Sequence, residues 1–219
     1  MRRYRPAVVF DVLGTLVHLT PLQEKLGGPA QVDAWFERLL HSATALSLAG
    51  EWQPFDALAA STLKTALRRM DGDADEDELL GLLAKLPPYP DASAAFGVLE
   101  QADVTIGVLT NGSERSTRSL LEGAALDERV VEIVSVEEVE VYKPHPAVYK
   151  HASERIGVEP KNLTLIAAHA WDVAGAKAAG LEAVWVDRLE GEWPLPKGKP
   201  RKTASNLEQA AQIVVERLR

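Results

Sequence analysis

The stretch Ala7-Val8-Val9-Phe10-Asp11-Val12-Leu13-Gly14-Thr15 decides the fold. Its first four residues form an apolar, partly β-branched run, which is typical of a strand buried on both faces of a parallel sheet. Four similar runs follow at 104–109, 131–135, 163–168 and 183–187. Segments at 91–101, 114–122, 146–156, 173–179 and 206–218 have the pattern of helices. Because strands that alternate with helices form parallel sheets covered on both faces, we predict an α/β fold with a doubly wound parallel sheet.

Residues 17–87 interrupt this alternation, because they contain no convincing strand. Apolar residues recur there at the spacing of one helix face. The first set is Val32, Trp35, Phe36, Leu39 and Leu40, and the second is Phe55, Leu58, Ala59, Thr62, Leu63, Ala66 and Met70. Asp75 is typical of the start of a third helix, and Pro87-Pro88-Tyr89-Pro90 ends the segment. We therefore predict a helical cap subdomain at 17–87, inserted into an α/β core of residues 1–16 and 88–219.

Composition disfavours several classes of function. The chain of 219 residues carries 24 basic and 32 acidic side chains, and this net charge of −8 disfavours a nucleic-acid partner. The absence of cysteine excludes a thiol nucleophile, a disulfide and a cysteine metal site. No apolar run approaches the roughly 18 residues of a membrane span, and the run after the basic N-terminus is too short for an export signal. We therefore expect a cytoplasmic protein without a membrane partner.

Polar side chains lie at the carboxyl ends of the predicted strands and in one loop. They are Asp11, Thr110, Asn111, Lys143, His169 and Asp172. The carboxyl ends of parallel strands meet at one edge of the sheet, where open α/β proteins bind their ligands. A carboxylate, a hydroxyl, an amide, an ammonium and an imidazole therefore converge on one crevice, as in a catalytic site. The cap is inserted directly after the first strand, so it can cover this crevice as a lid.

Four ordered motifs resemble those of the haloacid dehalogenase (HAD) superfamily. Phe10-Asp11-Val12-Leu13-Gly14-Thr15-Leu16 resembles motif I, and Leu109-Thr110-Asn111-Gly112 resembles motif II. Val141-Tyr142-Lys143-Pro144, with Tyr149 beyond it, resembles motif III, and Ala170-Trp171-Asp172 resembles motif IV. The motifs together span nearly the whole chain. The resemblance implies a HAD-like core with an inserted cap.

Two positions indicate the branch of the superfamily. Phosphatases of the superfamily carry a second Asp two residues after the nucleophilic Asp of motif I, which corresponds to Asp11 here. They also carry two carboxylates four residues apart in motif IV, and they bind Mg²⁺. Here the first position is Leu13 and the position four before Asp172 is Ala168, so two phosphatase carboxylates are missing. The Trp171-Asp172 pair and the spacing from Lys143 to Tyr149 instead resemble the L-2-haloacid dehalogenase branch, which uses neither a metal nor a cofactor.

This resemblance implies the hydrolysis of short (S)-2-haloacids, such as chloro-, bromo- or fluoroacetate-like anions, to 2-hydroxyacids. Asp11 would attack the halogen-bearing carbon, halide would leave, and water would hydrolyse the ester formed on Asp11. An aspartate is already ionised at neutral pH, and a neighbouring ammonium at Lys143 would keep it so. Attack opposite the leaving group would invert a chiral substrate.

The resemblance also implies roles for residues that support the nucleophile. Thr15 would orient Asp11, and Tyr149 would have a polar role. Asp172 would hold Lys143 or the hydrolytic water, and it could also be the N-cap of the helix 173–179.

A further group of residues would contact the small anionic substrate. Thr110 would bind its carboxylate through the hydroxyl, and Asn111 would contact the substrate or the halide. Leu13 and Trp171 would line the pocket around the halogen or the alkyl part.

Two departures from the family pattern bear on the mechanism. A serine and an asparagine of the usual motif are replaced by Ala167 and His169. An imidazole can act as a general base near neutral pH, so we predict that His169 activates the water that cleaves the ester. The halide-binding Arg of the family follows an aromatic residue on the first cap helix, but here Glu37 follows Trp35-Phe36. Either Arg38 binds the halide, with the helix shifted, or another group does.

Two alternative functions stay open from the sequence. The first is a HAD-like phosphatase of unusual type, which would need Mg²⁺. The second is a catalytically impaired binding protein with the HAD fold, which the retention of Asp11, Lys143 and Asp172 disfavours. Family members commonly form homodimers through helical surfaces, so a homodimer is a further expectation.

Overall fold

The computed structural model describes residues 6–69 and 75–218, and it contains one parallel sheet. The basic N-terminal residues, used above to argue against an export signal, lie outside the described residues. So does Met70, which was assigned above to the apolar face of a helix. The strands are β1 (Ala7–Phe10), β2 (Thr105–Thr110), β3 (Glu132–Ser135), β4 (Leu163–Ala167), β5 (Glu182–Val186) and β6 (Thr203–Ala204). Their order is β3-β2-β1-β4-β5-β6, and every neighbouring pair is parallel. The predicted doubly wound α/β fold is confirmed.

Helices cover both faces of this sheet and form one long insertion. They are α1 (Thr20–Leu26), α2 (Pro29–Ala49), α3 (Phe55–Arg69), α4 (Glu76–Leu83), α5 (Ala92–Gln101), α6 (Glu114–Gly123), α7 (Pro146–Ile156), α8 (Ala170–Ala178) and α9 (Leu207–Arg217). Within the described residues, no helix is long and apolar enough to cross a membrane.

Alternate residues of β1 point to two separate hydrophobic cores. Val8 and Phe10 pack in the core that also contains Phe96 of α5, with the Phe10 and Phe96 rings 5.1 Å apart. Val9 belongs to the other core, which continues into the apolar face of α2 through Trp35. All four residues of β1 are buried, because a central strand of a parallel sheet is covered on both faces.

The helices α1–α4, here called the helical insertion, follow β1 directly. The two chain connections to it run side by side, because the N–H of His18 donates to the carbonyl of Pro87 and the N–H of Tyr89 donates to that of Leu16. Asp75 begins α4 as predicted, and its carboxylate accepts from the N–H of Asp77 at 2.9 Å. The division of the chain into a core and a cap stays a prediction.

Three elements differ from the sequence predictions. Helix α1 and the two-residue strand β6 were not expected, because both are too short to show a clear periodicity. Helix α8 begins at Ala170, three residues before the predicted start at 173. His169 is therefore its N-cap residue, and the prediction that Asp172 caps this helix is wrong.

Candidate active site

Asp11 lies directly after β1, and its carboxylate is nearly enclosed, with 7% of the side chain exposed. Its Oδ2 accepts from the hydroxyl of Thr15 at 2.7 Å and lies 2.9 Å from Nδ1 of His169. Its Oδ1 accepts from Nζ of Lys143 at 2.7 Å. Thr15 itself accepts from the N–H of Ala168 at 2.9 Å, which ties it to the end of β4. Thr15 is therefore placed to orient the carboxylate.

The charges around Asp11 keep it ionised. Burial alone would raise the pKa of Asp11, but the ammonium of Lys143 and the ring of His169 outweigh burial. The net effect is a pKa well below the usual range of an aspartate. The carboxylate is thus an anion at neutral pH, held with little access to water.

Lys143 bridges the two buried carboxylates of the site. Its Nζ donates to Oδ1 of Asp11 and to Oδ2 of Asp172, both at 2.7 Å, and to the carbonyl of Leu109 at 3.1 Å. An ammonium has three protons, so each has a partner. Burial alone would lower the pKa of Lys143, but Asp11 and Asp172 raise it above its usual value. Lys143 is therefore a permanent cation in the site.

Asp172 lies in the first turn of α8 and is fully buried. Its Oδ1 accepts from the hydroxyl of Tyr149 at 2.6 Å, while its Oδ2 accepts from Lys143. Burial raises the pKa of Asp172, and the charge of Lys143 partly offsets this. Burial and the neighbouring Asp172 raise the pKa of Tyr149 well above its usual value, so this hydroxyl remains a donor. Tyr149 and Asp172 together hold the ammonium in place.

Thr110 is the last residue of β2 and Asn111 follows it, and each leaves a hydrogen-bond donor free. The hydroxyl oxygen of Thr110 accepts from the N–H of Gly112 at 2.9 Å and from the hydroxyl of Thr117 at 3.2 Å. With two bonds accepted, its own proton is available to a ligand. The side-chain carbonyl of Asn111 accepts from the N–H of Lys143 at 3.1 Å. In the described parts of the chain, its amide nitrogen has no hydrogen-bond partner.

His169 stands between Asp11 and two aromatic side chains. Its ring centroid lies 5.8 Å from that of Phe36 and 5.3 Å from that of Trp171. Its Nδ1 is bound to Asp11, whereas Nε2 makes no hydrogen bond to any described residue. The ring approaches Gly14 so closely that a Cβ there would lie 2.9 Å from Cε1. Gly14 also has a φ of +77°, so glycine is required here both for the turn and for the ring.

A small cavity of about 20 Å³ opens against Asp11. It is lined by Asp11, Leu13, Phe36, Leu40, Phe55, Thr110, Asn111, Gly112, His169 and Trp171. The structure thus brings together most of the predicted site residues, including Leu13 and Trp171. Phe36, Leu40 and Phe55 were not predicted as site residues. The apolar periodicity of α2 and α3 marks all three as facing inward, but it does not separate packing from pocket lining.

Arg38 is the one predicted residue that the structure does not bring to this site. It is exposed and does not line the cavity. Phe36 and Leu40 are four residues apart and share the face of α2 that lines the cavity. A residue two positions after Phe36 lies about 200° further around the helix, so Arg38 lies on the far side. Glu37 is exposed as well.

Comparison with known proteins identifies the family. A family profile described as haloacid dehalogenase-like hydrolase matches residues 6–180. The chain belongs to this family of hydrolases. It is 30% identical over 218 residues to the (S)-2-haloacid dehalogenase 1 of Pseudomonas sp. (strain CBS-3), covering 95% of this chain and 96% of that protein. It is 27% identical over 191 residues to the haloacetate dehalogenase H-2 of Moraxella sp. (strain B), covering 83% and 85%.

Solved structures give the same assignment. The crystal structure of an L-2-haloacid dehalogenase superposes with a TM-score of 0.90 at 26% identity, covering 96% of this chain and 98% of that chain. The predicted resemblance to the L-2-haloacid dehalogenase branch of the HAD superfamily is confirmed.

In this member of the HAD family, a side chain supplies the positive charge of the site. The ammonium of Lys143 lies between Asp11 and Asp172, within 2.7 Å of each. The two positions at which phosphatases of the superfamily carry further carboxylates are occupied by Leu13 and Ala168, which have no ligand atoms. Among the described residues, no group of three or more acidic or histidine side chains could hold a metal ion.

Proposed function

We propose that this hydrolase cleaves the carbon–halogen bond of short (S)-2-haloacids by nucleophilic attack of Asp11. The observation that carries the proposal is an ionised, nearly enclosed carboxylate, bound by Lys143, Thr15 and His169, that lines a small and largely apolar cavity. Such a carboxylate is desolvated and oriented, and it needs no base to activate it.

The first step is a displacement at C2 of the substrate. Oδ1 of Asp11 accepts one hydrogen bond and Oδ2 is engaged by two partners, so Oδ1 retains the more available lone pair. Oδ1 forms a bond to C2, and the carbon–halogen bond breaks, with its electron pair leaving on the halide. Attack opposite the halogen inverts C2. The free hydroxyl proton of Thr110 and the free amide of Asn111 bind the anionic groups of the substrate.

The second step is hydrolysis of the aspartyl ester. Water adds to the side-chain carbonyl carbon of Asp11, and negative charge develops on Oδ2. The hydroxyl of Thr15 donates to this oxygen, as does Nδ1 of His169 in the tautomer that carries its proton there, and such donors stabilise an oxyanion. In that tautomer Nε2 of His169 is free to accept the proton of the water. The bond between Cγ of Asp11 and the ester oxygen then breaks, and Nε2 of His169 returns the proton to that oxygen, so the 2-hydroxyacid leaves as an alcohol. The oxygen from water stays on Asp11, which releases the remaining proton to solvent and is again a carboxylate.

A halide-release assay tests the proposal directly. Wild-type protein should release halide from chloroacetate and from (S)-2-chloropropanoate in the presence of EDTA, and Asp11→Asn should release none. After many turnovers in ¹⁸O-labelled water, mass spectrometry should find the label in the peptide that carries Asp11. Unlabelled Asp11 after turnover, or activity that EDTA abolishes and Mg²⁺ restores, would reject the mechanism and favour a phosphatase-type site.

The role of His169 has a test of its own. In the His169→Ala variant, Asp11 should still be alkylated but its ester should be hydrolysed slowly, so with chloroacetate as substrate the protein should gain the mass of a carboxymethyl group. Unchanged steady-state turnover in this variant would exclude the role. The cytoplasmic location and the homodimer stay predictions, and light scattering on the purified protein tests the second.

A further inference from the structure

A second cavity adjoins the catalytic one, and it is much larger, at about 230 Å³. It lies between the carboxyl edge of the sheet and helices α3 and α4 of the helical insertion. We call this cavity the side chamber. It is lined by Val12, Leu13, Phe55, Asp56, Ala59, Leu80, Leu83, Ala84, Thr110, Gly112, Ser116, Thr117 and Leu120.

The side chamber shares a wall with the catalytic cavity. Leu13, Phe55, Thr110 and Gly112 line both. The catalytic cavity alone has about 20 Å³, and a cavity needs at least about 10–15 Å³ to hold one water. A cavity of this size leaves no room for an alkyl chain of several carbons beside the reacting carbon, its halogen and its carboxylate. Any larger substituent on that carbon has to pass Leu13 and Phe55 into the side chamber.

The chemistry of the side chamber suits an alkyl chain. Most of its surface comes from aliphatic side chains, such as Ala59, Leu83 and Leu120. The hydroxyl groups of Thr117 and Ser116 are already bonded, because Thr117 donates to Thr110 and Ser116 is hydrogen-bonded to Ser113. The free proton of Thr110, at the wall shared with the catalytic cavity, is assigned above to the anionic groups of the substrate. The one ionisable group in the lining is the carboxylate of Asp56, which would repel a second anionic group on the substrate.

We propose that, among the (S)-2-haloacids that this site accepts, it prefers those with an alkyl tail of several carbons, and that the tail occupies the side chamber. This inference rests on the proposed function, since it assumes that Asp11 attacks C2 of a 2-haloacid. It adds a chain-length preference, with the side chamber as its cause. It also predicts that a tail ending in a carboxylate is rejected.

A substrate series tests the preference. We expect kcat/KM for bromide release to rise about fourfold for each methylene buried, from (S)-2-bromopropanoate to (S)-2-bromohexanoate. Racemic 2-bromoadipate, which ends in a second carboxylate, should react at least tenfold less efficiently than racemic 2-bromohexanoate. A flat or falling series would overturn the inference and leave the proposed function standing. No release from any of the acids would overturn the proposed function itself.

A substitution that fills the side chamber, compared with the same substitution at an exposed position, tests the inference from the side of the protein. Ala59→Phe places a ring in the chamber from α3, whereas Ala57→Phe makes the same change at an exposed position of the same helix. Ala59→Phe should lower kcat/KM for 2-bromohexanoate at least tenfold and change that for 2-bromopropanoate less than twofold. Ala57→Phe should change neither.

A second variant that narrows the side chamber controls for the possibility that Ala59→Phe misfolds. Ala84 lines the chamber from the exposed end of α4, so Ala84→Phe narrows the chamber without entering the core. It should reproduce the selective loss on the longer acid. An equal loss on both acids, or no loss on either, in a variant whose circular dichroism matches wild type would overturn the inference.

Discussion

Replacing Lys143 by Met should destabilise the fold strongly, and the loss should depend on pH. The Nζ atom lies 2.7 Å from a carboxylate oxygen of Asp11 and 2.7 Å from one of Asp172, with 1% of its side chain exposed. At an effective dielectric constant of about 20, each attraction is worth about 6 kcal/mol before desolvation is subtracted. Removing one partner of a buried ion pair has a net cost of about 3–5 kcal/mol, because it leaves buried charge uncompensated.

The pH dependence has a defined sign. In wild type the pKa of Asp11 is depressed, so its contribution to stability is present above the unfolded pKa of about 3.9 and is lost only as the pH falls through the folded pKa. In Lys143→Met the charge that depresses this pKa is gone, so the carboxylates take up protons at higher pH. Protonation relieves the uncompensated charge. The difference between the two proteins should therefore be largest at pH 7 and shrink towards pH 4.

Urea denaturation followed by tryptophan fluorescence measures this difference at pH 7 and pH 5. A loss of about 3–5 kcal/mol corresponds to a fall in Tm of roughly 6–20 °C for a chain of this size. Lys161→Met is the matched control, because Lys161 is exposed and its ion pair among the described residues is with the neighbouring Glu159, so it should leave the urea midpoint essentially unchanged. A loss below about 1 kcal/mol in Lys143→Met, or one equal at both pH values, would refute the reasoning.

Other perturbations of the site have equally specific expectations. Gly14→Ala should lose about 1–3 kcal/mol in urea denaturation, because it combines a φ of +77° with a Cβ 2.9 Å from Cε1 of His169, and a stability equal to wild type would contradict this. Tyr149→Phe leaves an oxygen of the buried Asp172 without its 2.6 Å partner, so the same assay should show a loss of about 1–3 kcal/mol, and an unchanged midpoint would count against it. Because the pKa of Asp11 is held far below its usual value, the single-turnover burst of halide should be constant from pH 7 to about 4, whereas a half-loss near pH 4, where an ordinary aspartate titrates, in rapid-quench measurements would show that this pKa is not depressed.

Elements with local signals were predictable from the sequence, and elements that depend on distant contacts were not. Helix α7 has the predicted bounds, because it begins at Pro146 after a capping His145 and ends at Gly157 in the left-handed conformation. Helix α8 begins earlier than predicted. The N–H of its first residue, Ala170, donates to the carboxylate of Glu190 at 3.1 Å, and this partner lies 20 residues away in the chain. No local sequence pattern predicts such a contact.

The prediction that Arg38 belongs to the site fails for a different reason. The apolar periodicity of α2 predicts which side of the helix is buried, but aligning one Arg to the family by a neighbouring aromatic ignores the rotation of the helix. The burial of Trp35 and Leu39, with Phe36 and Leu40 beside them, leaves positions 37 and 38 on the opposite side. The sequence thus contained the information that disfavours Arg38. The free amide of Asn111 became visible only when its carbonyl was found bound to Lys143.

The central ion pairs follow from the strand order more than from any single motif. β1 pairs with β4 in a register that sets Phe10 opposite Ile166, so the chain leaves both strands at the same edge of the sheet. Asp11 comes one residue after β1, and Asp172 lies in the first turn of α8, the helix that follows β4. Two buried carboxylates there would repel each other without a cation between them. Lys143 reaches that position from the loop before α7. The same ammonium therefore holds two segments of the fold together and keeps the proposed nucleophile Asp11 charged, which is why its removal should affect stability and chemistry together.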